Sequence, residues 1–173
     1  MTVPIRAMDS DGRSWNRIAS GWLPVAVWLC LLFVLSSDRF SDASTGTWLG
    51  WLLDQVRPGW HLRHPHAFAL LHWLARKTAH FVEYALLAAI LWRAVVLTSG
   101  RSAHAYAWSL GICALYGAAD ELHQAFVPSR GPSGWDVCID AAGAACGLLM
   151  VAAFQWVIGI RQQAKGTAAA ATE

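Results

Sequence analysis

The sequence predicts an all-α integral membrane protein, a bundle of four transmembrane helices with an interfacial helix between spans one and two. Three observations carry that expectation. The 173-residue chain is 56% hydrophobic and only 14% charged, with 11 Trp, whereas a soluble domain carries roughly a quarter charged residues. Four apolar stretches approach or exceed the ~20 residues that a helix needs to cross a bilayer. The remaining charges are not scattered: His80, Glu83, Asp120, Glu121, His123, Asp136 and Asp140 gather at the ends and first turns of these stretches, at one expected side of the membrane. An ionisable side chain in or beside the bilayer is costly unless it finds a partner, so such a cluster points to function.

Residues 1–17 are polar, with Arg6, Asp9, Asp11, Arg13 and Arg17, and read as a disordered cytoplasmic tail. The first span covers 18–36 and contains Pro24, which helix bundles tolerate. A basic segment before an apolar run also suits a signal peptide. Here the run is long enough to span, and SSDRFSD follows it in place of a small-x-small cleavage site. The long connection 37–76 has structure of its own. Over 47–56 (TWLGWLLDQV), Trp48, Trp51, Leu52 and Val56 recur near helical spacing, which reads as a short helix lying in the interface. Pro58-Gly59 breaks it, and a helical run from Phe68 leads towards the second span.

The second span is expected at 77–97, stopped by Thr98-Ser99-Gly100, and the third at 104–119, closed by the DELHQ segment 120–124. The Pro- and Gly-rich segment 127–134 (VPSRGPSG) is a tight loop, and the fourth span follows at 135–160. The expected organisation is therefore a tail (1–17), one four-helix transmembrane domain (18–160) and a disordered tail (161–173). Lys and Arg fall almost evenly on the two sides, but the short terminal flanks favour cytoplasmic termini, which puts the polar cluster at the outer face. A net charge of +2 without a basic run gives no sign of nucleic-acid binding. Cys30, Cys113, Cys138 and Cys146 lie in apolar segments without a CxxC pair and read as small core residues.

At about 100° per residue, Lys77, His80 and Tyr84 share one stripe of the second span within roughly 60°. Tyr116, Asp120, His123 and Gln124 share a face of the third, while Glu121 turns away from it. On the fourth, Asp136, Asp140, Gly143 and Gly147 align, the glycines forming a GxxxG ridge for close helix approach. Taken singly, Lys77 suits a snorkelling anchor and Asp136 a helix cap. Three polar stripes at one depth need a further reason.

The residues K-x-x-H-F-x-x-Y-x-x-L (Lys77, His80, Phe81, Tyr84, Leu87), D-E-x-x-Q-x-F-x-P-x-R (Asp120, Glu121, Gln124, Phe126, Pro128, Arg130) and D-x-x-x-D-x-x-G-x-x-x-G (Asp136, Asp140, Gly143, Gly147) resemble the VanZ-like family. These are small bacterial membrane proteins named for a teicoplanin-resistance protein. Ser36-Ser37 at the end of the first span is similar too. The chain departs from the family pattern at Arg76, where Asp is usual, and at Asp140, where Asn is usual. The resemblance implies a multi-pass protein of the bacterial inner membrane, in some cases linked to glycopeptide resistance, and no settled chemistry.

Three functions fit these residues. The first is binding or modifying an anionic lipid or lipid-linked cell-wall intermediate. Lys77, Arg130 and Arg76 would hold phosphate, with Tyr84 and Gln124 as further binding groups. His80, Asp120, Glu121, Asp136 and Asp140 would supply acid–base chemistry. Enzyme and binder both remain open on this reading. The second is a metal-dependent membrane hydrolase using His80, Asp120, His123, Asp136 and Asp140; Lys77 on the same stripe opposes it, so no metal site is assigned. The third is a non-catalytic structural or partner-binding protein whose buried ion pairs fix helix register. Cofactor and oligomeric state are not readable from the sequence.

Overall fold

The computed structural model describes residues 11–37, 41–126 and 133–170, with the side chains of 15–37, 41–126 and 133–162. Among these residues the chain is all helix: α1 (Asp11–Leu35), α2 (Asp42–Val56), α3 (Trp60–Arg63), α4 (Pro65–Ser99), α5 (Ser102–Gln124) and α6 (Gly134–Ala170). Three of them contain stretches long and apolar enough to cross a membrane: Trp15–Leu35, Pro65–Ser99 and Gly134–Gln162. The expected third span, 104–119, corresponds to α5, which has the length, at 23 residues, but falls outside that apolar set.

Local chemistry sets the boundaries. Ser41 caps α2, its hydroxyl accepting from the Ser44 N–H at 3.4 Å. Pro65 stands in the first turn of α4, where its missing N–H costs nothing. Gly100 ends α4 in the left-handed region (φ 67°), donating its N–H to the Val96 carbonyl.

α4 is the hub, packed against α1, α5 and α6, and α5 also packs on α6. The closest approach is between α4 and α6. A Cβ placed on Gly143 would lie 2.2 Å from the Phe81 carbonyl oxygen, and one on Gly147 2.2 Å from that of Ala85. The GxxxG ridge therefore meets backbone directly. Around this contact the core gathers Val25, Leu32, Tyr84, Leu87, Ala88, Leu91, Cys113, Ala144 and Leu148. Along α5 the buried positions are Ala105, Ser109, Cys113, Gly117, Glu121 and Gln124, a stripe running the full helix. Large apolar side chains such as Leu23, Phe33, Leu115, Leu149 and Phe154 face outwards, as they must where the solvent is hydrocarbon.

The helices are longer than the sequence suggests. α1 starts at Asp11, inside the segment read as a disordered tail, and α2 starts at Asp42 instead of Thr47. α4 runs unbroken from Pro65, so Lys77, read as the start of a span, lies in mid-helix. α6 continues to Ala170, into the tail expected to be disordered. Each extension adds turns to an existing helix, where every further residue gains a backbone hydrogen bond without a new nucleation cost.

Candidate functional site

The polar stripes converge where α1 and α5 end and where α6 begins. Lys77 Nζ on α4 pairs with Asp136 Oδ1 on α6. One turn further along both helices, His80 Nδ1 lies 3.2 Å from Asp140 Oδ1. Asp140 is almost wholly enclosed, at 1% exposure. Its other carboxylate oxygen and the Tyr84 hydroxyl are buried with no hydrogen-bond partner. Gly117 makes room for both, since a Cβ there would stand 3.2 Å from Asp140 Oδ2 and 3.5 Å from the Tyr84 ring. Buried polar groups are normally satisfied, so these two atoms, like those of Trp92, Ser109 and Glu121, are exceptions to that rule.

α5 closes the arrangement. The Gln124 amide donates to Asp120 Oδ2 at 2.7 Å and to Ser36 Oγ of α1 at 3.0 Å, holding the ends of α1 and α5 together. Tyr116 adds a second link by donating to the Leu29 carbonyl. Glu121 points the other way, accepting the Ser133 N–H at 2.7 Å just before α6 begins.

Of these groups Ser36, His80, Tyr84 and Asp120 border a cavity of about 170 Å³. Leu32, Leu35 and Ser36 of α1 line it, with Thr45 of α2, Arg76, Ala79, His80, Glu83 and Tyr84 of α4, and Asp120 of α5. Arg76 is steered by Asp42 of α2 at 2.6 Å, and the Thr45 hydroxyl meets His72 Nε2 at 2.9 Å. These two contacts place α2 on the flank of the cavity.

A family model described as VanZ/LLP1 matches residues 22–155, which takes in α2 to α5, all but the start of α1 and most of α6. The chain belongs to the VanZ/LLP1 family. No curated protein and no solved structure matches it.

In this VanZ/LLP1 chain, His80, Tyr84 and Asp120 reach the cavity directly. Lys77, Asp136 and Asp140 stand behind His80 as the α4–α6 pairs, Gln124 stands behind Asp120, and Glu121 holds the start of α6. Arg130 lies outside the described residues. The lining also takes Ser36, Thr45 and Glu83, which the stripes did not assign to the site. Glu83 carried a signal, lying three residues beyond His80 on one helix. Thr45 carried none, because only the fold of α2 onto α4 brings it there.

His123 turns from the pairs and rests against Phe33, with ring centroids 5.2 Å apart. Among the described residues no three His, Cys, Asp or Glu side chains are grouped to hold a metal ion. His61, on α3, is held by Asp54 at 3.0 Å, with its ring tilted against that of Phe68.

Proposed function

We propose that this VanZ/LLP1 protein crosses the bacterial inner membrane four times with both termini cytoplasmic. In this reading its outer-face cavity binds or modifies the headgroup of an anionic lipid or lipid-linked cell-wall intermediate. The buried stripe that runs the length of α5, with its packing on both α4 and α6, supports α5 as the third of four crossings. The exposed Trp48, Trp51 and Leu52 of α2 support its lying in the interface beside the cavity.

The observation that carries the function is the 170 Å³ cavity itself, with Arg76, His80 and Asp120 on its wall and an apolar floor from α1. A guanidinium suits phosphate, with Lys77 as a further cation of that end and Arg130 as a candidate on the sequence alone. His80, backed by Asp140, suits proton transfer, and Asp120 and Glu83 give it carboxylate neighbours. Asp136, Asp140, Glu121 and Gln124 act by holding these groups in place, and Tyr84 borders the bound headgroup. The link to glycopeptide resistance comes from the family alone, and teicoplanin susceptibility of cells expressing the protein tests it.

Binding is tested on full-length protein in nanodiscs by native mass spectrometry with a polyprenyl phosphate and phosphatidylcholine as competing lipids. Selective retention of the phosphate lipid, lost in His80→Ala and Arg76→Ala, is expected. Equal retention of both lipids by wild type and variants would defeat the reading.

A second, non-catalytic reading is favoured by the α4–α6 pairs, which join helices and leave Lys77 and Asp136 engaged with each other. There the charges set helix register and the cavity is incidental.

A further inference from the structure

Among the described side chains, charge divides by end. Every carboxylate whose side chain is described, from Asp42 to Asp140, belongs to the end that holds the first cavity. The opposite end, where α1 begins and α4 gives way to α5, carries Arg17, Arg93, Arg101, Arg161 and His104 and none of those carboxylates. Two of these cations have structural work: Arg17 Nη2 donates to the Leu97 carbonyl and Arg93 Nη1 to that of Ser20, tying α1 to α4. Arg101 uses only its backbone N–H, given to Ser99 Oγ at 3.2 Å. Among the described residues its guanidinium and the His104 ring have no partner.

Both side chains border a second cavity of about 410 Å³, completed by Trp22, Thr98, Ser99 and Trp108. Its polar walls are already committed. The Trp22 indole donates to Thr98 Oγ1 at 2.9 Å, and the Thr98 and Ser99 hydroxyls donate to the carbonyls of Ala94 and Val95. What remains for a ligand is a planar guanidinium and an imidazole above an apolar groove flanked by two Trp. A bidentate donor suits a phosphate, a groove of this character suits the first part of an acyl chain, and Trp marks the headgroup level. Basic pockets between helix ends are a recurrent way of holding acidic headgroups.

We propose that this groove is a binding site for an anionic glycerophospholipid, its phosphate on Arg101 and His104 and a chain running along Trp108. The site is separate from the first cavity and does not depend on what that cavity binds.

The test is native mass spectrometry of the full-length protein, released from nanodiscs of phosphatidylglycerol and phosphatidylcholine in equal parts. Wild type should retain phosphatidylglycerol preferentially, and Arg101→Gln should cut that preference by about fivefold, the worth of one cation at an anionic headgroup. Arg101→Lys, which keeps the charge and loses the fork, should fall between. Arg161→Gln, at the same end but outside the groove, should leave the preference unchanged. The proposal is overturned if Arg101→Gln retains the wild-type preference, or if Arg161→Gln lowers it equally, which would indicate diffuse surface charge. It is also overturned if soluble glycerol 3-phosphate displaces the lipid at equal concentration, which would make the groove a free-phosphate site. Melting of each variant in detergent, expected within a degree or two of wild type for exposed residues, shows that the comparison is between folded proteins.

Discussion

Replacing Gly143 or Gly147 by Ala adds one methyl at the closest helix contact in the molecule. Each new Cβ would sit 2.2 Å from a carbonyl oxygen of α4, where ordinary contact begins near 3.4 Å. The obstacle is backbone, so no side-chain rotation relieves it, and the two helices must part by roughly 1 Å in a close-packed interior. Such overpacking costs about 1–3 kcal/mol per site. The same displacement acts on the His80–Asp140 contact, already 3.2 Å long, and carries it past hydrogen-bond range. Each variant should therefore melt several degrees below wild type, at about 2–4 °C per kcal/mol for a chain of this length. Gly111→Ala and Gly159→Ala are the controls, since nothing lies within 4 Å of a Cβ at either. Both should be neutral or gain up to about 1 kcal/mol of helix propensity. Fluorescence-detected size exclusion after heating in detergent reads all four. If Gly143→Ala and Gly147→Ala melt at or above wild type while the controls behave as stated, the backbone contact between α4 and α6 does not exist in the folded protein.

Asp136→Ala leaves Lys77 uncompensated and should abolish lipid retention while membrane fractionation still recovers the protein. Its stability loss should reach at most about 3–5 kcal/mol, and the double change Lys77→Met with Asp136→Leu should recover most of it. Lipid retention recovered along with stability in the double variant would favour the purely structural reading. Gln124→Leu removes bonds to Asp120 and Ser36 and should cost about 1 kcal/mol for each, seen as a lower melting temperature. Single-cysteine variants of the C-terminal tail, in a background without the native cysteines, should label only from the cytoplasmic side; labelling from outside intact cells would reverse the orientation. Trp48 and Trp51, half or more exposed on α2, should be quenched by lipids carrying a quencher at headgroup depth and spared by quenchers at the bilayer centre.

The sequence made the helical stripes legible because a 3.6-residue period needs no tertiary knowledge. Lys77 and His80 lie one turn apart, as do Asp136 and Asp140, and opposite charges at one depth find each other. The glycine ridge was legible for the same reason. Glu121 was rightly seen to turn from Asp120, but its contact with Ser133 depends on how the following loop returns. The face shared by Asp120 and His123 was broad enough to split, one side reaching the cavity and the other resting on Phe33. The continuity of α4 was partly legible, since a helical run after Pro65 leads into the second span, but His66, His72, Arg76 and Lys77 dilute the apolar signal and hid how much of the helix is one piece. Least legible was α2, whose place depends on Asp42 meeting Arg76 and Thr45 meeting His72, pairs distant in sequence and individually unremarkable.

The α4–α6 pairs join residues 59 and 60 positions apart, and that distance is also an interval of time. At about 5–20 residues per second, α4 is made several seconds before the carboxylates that will neutralise it. During that interval Lys77 and His80 must wait without Asp136 and Asp140. Under the proposed topology Lys77 lies near the outer face, and a lysine there can extend its amine to the headgroups until α6 arrives. The arrival should register as a pulling force on the nascent chain when Asp136 and Asp140 enter the membrane, absent in Lys77→Met with His80→Leu. On that topology the order of synthesis itself favours placing a site of this charge at the membrane's edge, before any ligand is considered.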